Sequence, residues 1–218
     1  MNSFMILDNI LEHGIISVVR AEEGGSHVLK AVEAIVEGGV RCIEVTMTTP
    51  YAIQTIVDTT KRFSTDEALV GVGTVIDVDD CRHAVQSGAR FVVTPAVCLD
   101  VVQTARELEV PVLCGAFTPT EVLAAWQHGA DLVKIFPASV GGPAYIRALK
   151  GPLPQIPMVP TGGVTVENVA AFLEAGAAAL AVGGNLATPS LIASGDLPAL
   201  TQNAREFAAA LESARNAH

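Results

Sequence analysis

The sequence predicts an α/β fold in which parallel strands alternate with helices, and three observations predict it. The chain has 218 residues, a length that suits one large domain or a single α/β barrel. Half of its residues are hydrophobic and only 17% are charged, so it has enough apolar side chains for a large core. A pattern of helix, glycine and strand also recurs along the chain.

Each copy of this pattern has a helix end, a glycine and then an apolar run typical of a strand. A glycine at this point adopts the left-handed backbone that ends a helix without a Cβ penalty. Its four copies are EGGVRCIEV (37–45), QSGARFVVT (86–94), QHGADLVKI (127–135) and EAGAAALAV (174–182).

The repeated glycines stand 49, 41 and 47 residues apart, which is too far for one strand and one helix. Another strand is therefore expected between each pair. Thr118, with Pro119 and Glu121 after it, forms a capping box with proline at the first helical position, a specific helix start. The three strands between the glycines are ALVGVGT (68–74), VPVLCGAFT (110–118) and IPMVPTGGVT (156–165), and GIISVVR (14–20) is added before them as the first strand.

Eight strands separated by helical segments of about 10 to 15 residues predict parallel βαβ units. The predicted fold is a (β/α)₈ TIM barrel over about 14–215, with an additional N-terminal helix at 2–13 and a last helix at roughly 196–215. Residues 1–218 are then one domain. A doubly wound open sheet is the alternative, and it is disfavoured because no G-x-G-x-x-G motif opens the first helix.

Charge and hydrophobicity exclude several classes of protein. The 13 Lys and Arg against 23 Asp and Glu give a formal net charge of −10, which argues against nucleic-acid binding. No stretch approaches the roughly 18 to 20 uninterrupted apolar residues of a membrane-spanning helix. The N-terminal segment has no basic region and carries Asp8 and Glu12, unlike an export signal. We therefore expect a cytoplasmic protein that binds neither nucleic acid nor membrane.

The cysteine and histidine spacings predict no metal site. The four cysteines form no C-x-x-C pair and lie in or beside apolar elements, as expected of reduced core thiols. The five histidines show neither H-x-H nor H-E-x-x-H spacing. No Walker loop or nucleophile elbow is present. We therefore expect no metal and no other cofactor.

Two charged residues lie inside otherwise apolar strands, Glu44 in the second and Lys134 in the sixth. The two-residue period of a strand places Glu44 on the face of Cys42 and Lys134 on the face of Leu132. If these faces line the barrel, the two charges meet inside it. A structural ion pair, or a lysine that reaches the rim, is the alternative. Burying each ion costs several kcal/mol, so function is the stronger explanation.

Lys134 is the one lysine of four that lies in a strand. Lys30, Lys61 and Lys150 fall in helix or turn positions that normally face solvent. Burial disfavours the charged form of an amine and exposes its nucleophilic lone pair. A desolvated lysine of this kind forms Schiff bases with carbonyl substrates, and a nearby carboxylate serves the proton transfers.

Two glycine pairs follow the seventh and eighth strands, where barrels often bind phosphate. Gly162 with Gly163, and Gly183 with Gly184, leave backbone N–H groups free to converge on an anion, although simple tight turns are the alternative. Arg20 ends the first strand, where it would pair with a substrate carboxylate or stand exposed at the rim. Four further candidates for substrate contact lie at the ends of strands 3, 4 and 7, although each could simply cap a helix or end a strand. They are Thr74, Thr94, Pro95 and Thr161.

These residues occur in motifs that resemble those of the KDPG and 4-hydroxy-2-oxoglutarate (KHG) aldolases, where KDPG is 2-keto-3-deoxy-6-phosphogluconate. The resemblance covers about residues 10–190. Its marks are GGVRCIEVTMTTP, GVGTV, FVVTP, DLVKIFPAS and MVPTGG, of which DLVKIFPA and PTGG are specific in combination. It implies a class I lyase on a (β/α)₈ barrel that forms a trimer and needs no metal.

The resemblance also implies roles for single residues. Lys134 is the Schiff-base lysine, Glu44 the proton shuttle that faces it, and Phe136 packs beside the lysine. At two positions the chain departs from the best-known pattern: Thr48 stands where many members have an arginine for the pyruvate carboxylate, and Asn185 where a serine often reaches the phosphate. The remaining roles are contact with the keto acid for Arg20, Thr74 and Thr161, and phosphate binding for Gly162, Gly163, Gly183 and Gly184.

The predicted function is reversible cleavage of KDPG to pyruvate and glyceraldehyde 3-phosphate. The nearest alternative is the same chemistry on 2-keto-3-deoxy-6-phosphogalactonate (KDPGal) or on 4-hydroxy-2-oxoglutarate. More distant alternatives are a phosphosugar isomerase or synthase, in which Lys134 acts only electrostatically, and a non-catalytic sugar-phosphate sensor. The expected partners are therefore small molecules, within a homotrimer.

Overall fold

Eight parallel strands form the centre of the structure, and helices surround them. The structure is a computed structural model that describes residues 2–217. The first and last residues of the predicted domain, 1 and 218, lie outside the described part. The strands are β1 (Ile15–Val19), β2 (Cys42–Thr46), β3 (Leu69–Gly73), β4 (Val92–Val93), β5 (Val112–Ala116), β6 (Leu132–Ile135), β7 (Met158–Pro160) and β8 (Leu180–Val182).

The strands follow one another around a nearly closed barrel. The sheet order is β7-β6-β5-β4-β3-β2-β1-β8, so β1 pairs with both β2 and β8. Two single bridges, Met158 to Ala177 and Thr161 to Ala181, join the remaining edges. The predicted (β/α)₈ barrel is thus confirmed. A doubly wound open sheet would instead have its first strand in the interior of the sheet and two edge strands that do not meet.

Helices lie outside the barrel and at its N-terminal end. The additional N-terminal helix is present as α1, and the last predicted helix begins at Leu197. The helices are α1 (Ser3–His13), α2 (Ser26–Glu37), α3 (Ala52–Arg62), α4 (Val78–Gln86), α5 (Leu99–Glu107), α6 (Pro119–Gln127), α7 (Gly142–Lys150), α8 (Val169–Glu174), α9 (Pro189–Ser194) and α10 (Leu197–Asn216), with 3₁₀ turns at Ala138–Val140 and Val166–Asn168.

The repeated glycines end helices as predicted. Gly39, Gly88, Gly129 and Gly176 have φ angles of 96°, 112°, 93° and 95°, a region that side chains disfavour. Thr118 forms the predicted capping box with Glu121. The strands are shorter than the predicted apolar runs because those runs also include residues of the turns before the strands or of the loops after them.

Apolar side chains form two separate cores. The larger lies between the strands and the outer helices. The smaller fills the barrel, and the side chains of Ile6 and Ile10 on α1 pack into it. The additional helix therefore closes the N-terminal end of the barrel and leaves the opposite end open.

Replacing Ile10 with alanine is expected to lower the free energy of unfolding by about 2–4 kcal/mol, because a buried isoleucine leaves a cavity. Ile10 is fully buried, whereas Met5 on the same helix is 51% exposed. Met5→Ala is the matched control, and we expect it to change stability by no more than about 0.5 kcal/mol. Urea titration of both variants measures the difference; equal losses would show that α1 does not seal the barrel.

Lys150 differs from its prediction as a solvent-facing lysine. It is half-buried, and its Nζ donates hydrogen bonds to the carbonyls of Pro154 at 3.2 Å and Ile156 at 2.8 Å. Burial lowers the pKa of its amine. Lys150 thus holds the turn after α7 in place, which a sequence pattern does not reveal because both acceptors are backbone carbonyls.

The buried thiols are poor nucleophiles. Burial raises the pKa of Cys42 to about 12 and, as the largest cause, that of Cys81 to about 11. Both therefore remain protonated near neutral pH.

Among residues 2–217, no helix is both long enough and apolar enough to span a membrane.

Candidate active site

A cavity of about 310 Å³ opens at the carboxyl ends of the strands, the end of a barrel that carries chemistry. Most of the residues predicted for the site line it. They are Arg20, Thr74, Pro95, Lys134, Phe136, Thr161, Gly162, Gly163, Gly183, Gly184 and Asn185.

Lys134 lines this cavity, and Glu44, which does not line it, lies directly beside Lys134 inside the barrel. Lys134 Nζ lies 3.7 Å from Glu44 Oε1, and the two side chains are 8% and 1% exposed. The predicted strand faces are correct: Cys42, on the face of Glu44, and Leu132, on the face of Lys134, both belong to the core inside the barrel. The phenyl ring of Phe136, itself 40% exposed, has its centroid 5.5 Å from Lys134 Nζ.

The Glu44 carboxylate is free to act on a bound molecule. Within residues 2–217, neither of its oxygen atoms accepts a hydrogen bond, and 3.7 Å to Lys134 exceeds hydrogen-bond distance. A buried carboxylate without donors is costly, and a catalytic role is one physical reason for keeping one. Glu44 can therefore accept a proton from a group that enters between it and Lys134.

Gly73 makes the room that the Glu44 side chain occupies. A Cβ atom built at Gly73 would overlap Cγ, Cδ and Oε1 of Glu44. The close approach follows from the pairing of β2 with β3, in which Thr46 lies opposite Gly73 and Glu44 opposite Gly71. Our sequence prediction missed this residue, although alternating glycines beside a strand with a buried charge are a signal that could have found it.

Thr74 has a strained backbone at the edge of the cavity. Its φ angle is 58°, which is unusual for a β-branched residue and costs about 1–3 kcal/mol. Such strain persists where the surrounding structure imposes it, and it concentrates at functional sites. The residue therefore fits its predicted place next to the substrate.

The other predicted threonines differ in what their hydroxyls do. Thr161 lines the cavity, and its hydroxyl donates to the carbonyl of Val159 at 3.3 Å. Thr94 does not line the cavity: its hydroxyl donates to the carbonyl of Ala96 at 2.6 Å and accepts from the N–H of Gly115 at 3.0 Å. Thr94 thus holds the loop after β4 against β5 and places Pro95, which does line the cavity.

The two glycine loops form one wall of the cavity. Gly162 and Gly163 have φ angles of 86° and 79°, and Gly163 packs against Ser139. The amide of Asn185 donates to the carbonyl of Val164 at 2.8 Å and so joins the two loops. In the described chain, the N–H groups of Gly162, Gly163, Gly184 and Asn185 have no hydrogen-bond acceptor, as an anion site requires.

Arg20 and Thr48 lie on neighbouring loops but face different surroundings. Arg20 is exposed, lines the cavity, and pairs with no carboxylate in residues 2–217. Thr48 is exposed too, but it does not line the cavity, and its hydroxyl lies 3.0 Å from that of Thr46. A buried lysine, a free carboxylate and an anion-binding wall in one barrel mouth suit chemistry on an anionic carbonyl compound.

Comparison with known proteins gives the family directly. The family model for KDPG and KHG aldolases matches residues 6–203, most of the chain. The chain belongs to the KDPG and KHG aldolase family. The resemblance predicted from the motifs is therefore confirmed.

Named relatives of this aldolase family member differ in their substrates. The 2-dehydro-3-deoxy-phosphogluconate aldolase of Pseudomonas aeruginosa is 33% identical over 189 residues, 85% of this chain and 84% of the relative. The 2-dehydro-3-deoxy-6-phosphogalactonate aldolase of Escherichia coli is 35% identical over 159 residues, 72% of this chain and 77% of the relative. Sequence identity alone therefore does not select between the two sugar acids.

A solved structure connects the fold with covalent chemistry. The KDPG aldolase of Legionella pneumophila, captured with pyruvate as a covalent carbinolamine intermediate, has a TM-score of 0.82 and 25% identity. The match covers 92% of this chain and 97% of that one. A carbinolamine forms when an amine adds to a ketone, which is the reaction expected of a buried lysine.

Three clefts of this aldolase have a larger volume, and none contains a residue of the predicted site. One, of about 690 Å³, is lined by Arg90 and Asp131, which precede strands and so lie at the opposite end of the barrel. A second, of about 680 Å³, lies along α5, and a third, of about 390 Å³, lies between the loops after β3 and β4. None of the three contains a residue from inside a strand, and in residues 2–217 no group of three or more potential ligands could hold a metal.

The prediction missed the apolar part of the cavity. Val18, Val164, Ala187 and Pro189 line it together with the polar residues. Apolar residues at strand ends carry no chemical signal of their own, so only the fold reveals that they face a ligand.

Proposed function

We propose that this chain is a class I aldolase that reversibly cleaves KDPG to pyruvate and glyceraldehyde 3-phosphate. The observation that carries the proposal is the buried amine of Lys134, 3.7 Å from the free carboxylate of Glu44, at the floor of a cavity with an anion-binding wall. Family membership supports it, since the relatives are named for this chemistry.

The reaction begins with attack of the Lys134 amine on the C2 ketone of the keto acid. The product is a carbinolamine, and loss of its hydroxyl as water gives an iminium that withdraws electrons from C3. Glu44 lies within reach of this centre and moves the protons that these steps need. Burial of both groups keeps bulk water from competing.

Cleavage follows when the Glu44 carboxylate takes the proton of the C4 hydroxyl. The electrons of the O–H bond form the aldehyde, the C3–C4 bond breaks, and its electron pair passes to the iminium as an enamine. Glu44 then returns the proton to C3, and water hydrolyses the resulting pyruvate iminium to pyruvate and the free amine. One carboxylate thus acts as base and acid in turn.

The two ends of the substrate are held by different groups. We assign its phosphate to the free N–H groups of the loops around Gly162 and Gly184, where bare backbone can surround an anion. Arg20 and Thr74, which also line the cavity, contact the keto acid. An acidic chain can thus bind a substrate that carries both a carboxylate and a phosphate, because affinity depends on local donors and not on net charge.

Substrate choice is tested by kcat/KM for KDPG, KDPGal and 4-hydroxy-2-oxoglutarate, measured by coupled detection of pyruvate. The proposal expects the highest value with KDPG. A higher value with KDPGal would assign this chain the activity of its 35% identical relative instead. No pyruvate from any of the three would favour an isomerase, a synthase or a sensor.

Gly73→Ala is expected to lower kcat by about 10²-fold, because the added methyl group forces the Glu44 carboxylate from its position and small displacements of a catalytic group are expensive. Gly151→Ala is the matched control, since a Cβ there meets neighbours no nearer than 3.5 Å. Steady-state kinetics with denaturation curves separates catalysis from folding. An unchanged kcat for Gly73→Ala would show that the carboxylate needs no such room.

The proposal also covers the oligomeric state of the protein and its location in the cell. We propose that residues 1–218 act as one domain, in a cytoplasmic homotrimer, as the family resemblance implies. Large apolar side chains exposed after β2, β3 and β6 support an interface: Tyr51 is 78% exposed, Ile76 65% and Val140 69%. Sedimentation equilibrium tests the trimer, and a monomer at micromolar concentration would contradict it.

A further inference from the structure

Three threonine hydroxyls connect the end of β2 with the loop that follows β1. Thr46 is fully buried, and its hydroxyl lies 3.0 Å from that of Thr48 and 3.2 Å from that of Thr49. The hydroxyl of Thr49, which is 2% exposed, accepts a hydrogen bond from the backbone N–H of Ala21 at 3.2 Å. Because Thr49 accepts from Ala21, its own proton is available for Thr46.

The same two loops also touch through their backbones. A Cβ atom at Gly24 would overlap the carbonyl group of Pro50, so this glycine lets the loop after β1 lie directly on the loop after β2. Ala21 is itself 4% exposed, and its N–H would lose its only acceptor in residues 2–217 without Thr49. The backbone next to Arg20 is thus fixed by a side chain of another loop.

Arg20 is the residue directly before Ala21, and it needs such support. Arg20 lines the cavity and its guanidinium forms no ion pair in residues 2–217, so no carboxylate holds this group in place. A long free side chain binds an anion well only if its backbone is already oriented, because ordering it on binding reduces affinity.

We propose that Thr49, held by Thr46, is a positioning residue that orients Arg20 toward an anionic group of the substrate. The inference rests on the proposed function, because it takes Arg20 as a substrate ligand. The inference also includes Thr48, whose hydroxyl contacts that of Thr46 at the exposed end of the three threonines. Two buried hydroxyls would add little to a core that apolar residues could fill, which favours a role beyond packing.

The test is steady-state kinetics on the best substrate of the wild-type enzyme. Thr49→Val, which keeps the shape and removes the acceptor, is expected to raise KM about tenfold with kcat changed by less than about twofold, since it weakens binding of substrate and transition state alike. Thr49→Ser keeps the hydroxyl and restores KM. Thr59→Val is the matched control, because Thr59 is also fully buried but bonds to the carbonyl of Thr55 within α3.

A double-mutant cycle with Arg20→Met separates positioning from general damage. In that background, Thr49→Val should raise KM no further, because the side chain that it orients is gone. An unchanged KM for Thr49→Val, or the same increase in both backgrounds, overturns the inference. If Thr49→Val does not fold, Thr46→Val takes its place, with a smaller KM increase expected. A wild-type enzyme without aldolase activity would instead refute the proposed function.

Discussion

Lys134→Met is expected to lower kcat/KM by on the order of 10⁵-fold, the loss seen when a covalent nucleophile is removed. Methionine fills most of the space of the lysine stem but has no amine, so neither carbinolamine nor iminium can form. Removing the amine leaves the buried Glu44 carboxylate without its ionic partner, so denaturation curves accompany the kinetics and separate a loss of stability from a loss of catalysis. The measurement is the initial rate of pyruvate release at substrate concentrations well below KM, which gives kcat/KM directly.

Lys30→Met is the control for this loss. Lys30 is an exposed lysine of α2, and its replacement should leave kcat/KM unchanged. Lys150 is less suitable, since its amine holds a turn. Full turnover by Lys134→Met would mean that the amine acts on no covalent intermediate and would refute the class I mechanism.

Glu44→Gln is expected to lower kcat by about 10²–10⁴-fold, the usual contribution of a general acid and base. The amide has nearly the shape of the carboxylate, so it fits beside Gly73, but it cannot take the proton of the C4 hydroxyl. Lys134 keeps its place, and we therefore expect this variant to form a covalent adduct with pyruvate, although more slowly.

The pair of readouts distinguishes a proton shuttle from a structural ion pair. A shuttle predicts a low kcat with adduct still formed and stability near that of the wild type. A structural role predicts the reverse, a less stable protein with nearly normal kcat. Urea titration and single-turnover kinetics on Glu44→Gln measure both quantities.

Much of the fold could be predicted from the sequence because four of the helices end at glycines, which adopt the left-handed backbone without the penalty of a Cβ atom. Gly39, Gly88, Gly129 and Gly176 stand in the left-handed region, and their spacing sets the number of strands. Strand period placed Glu44 and Lys134 inside the barrel for a similar reason: alternate residues of a strand face opposite sides. Both features depend only on residues that are close together in the sequence, so the sequence predicts them.

Other features depend on what the fold brings together, and the sequence does not show them. Gly73 matters through the side chain of Glu44 on the next strand, and Thr49 through the N–H of Ala21 on another loop. Thr94 was expected beside the substrate, but its hydroxyl bonds to backbone atoms of two neighbouring segments. A threonine hydroxyl at a strand end can contact a substrate or bond to the backbone, and the groups that the fold places around it determine which it does.

The central claim is that Lys134 forms a Schiff base with a keto acid, and borohydride trapping with pyruvate tests it most directly. Borohydride reduces the iminium to a stable amine, so digestion and mass spectrometry identify the labelled peptide. We expect one pyruvate-derived label per chain, on Lys134, dependent on both pyruvate and borohydride and lost in Lys134→Met. An unlabelled chain, or a label on Lys150 in place of Lys134, would contradict the proposed mechanism.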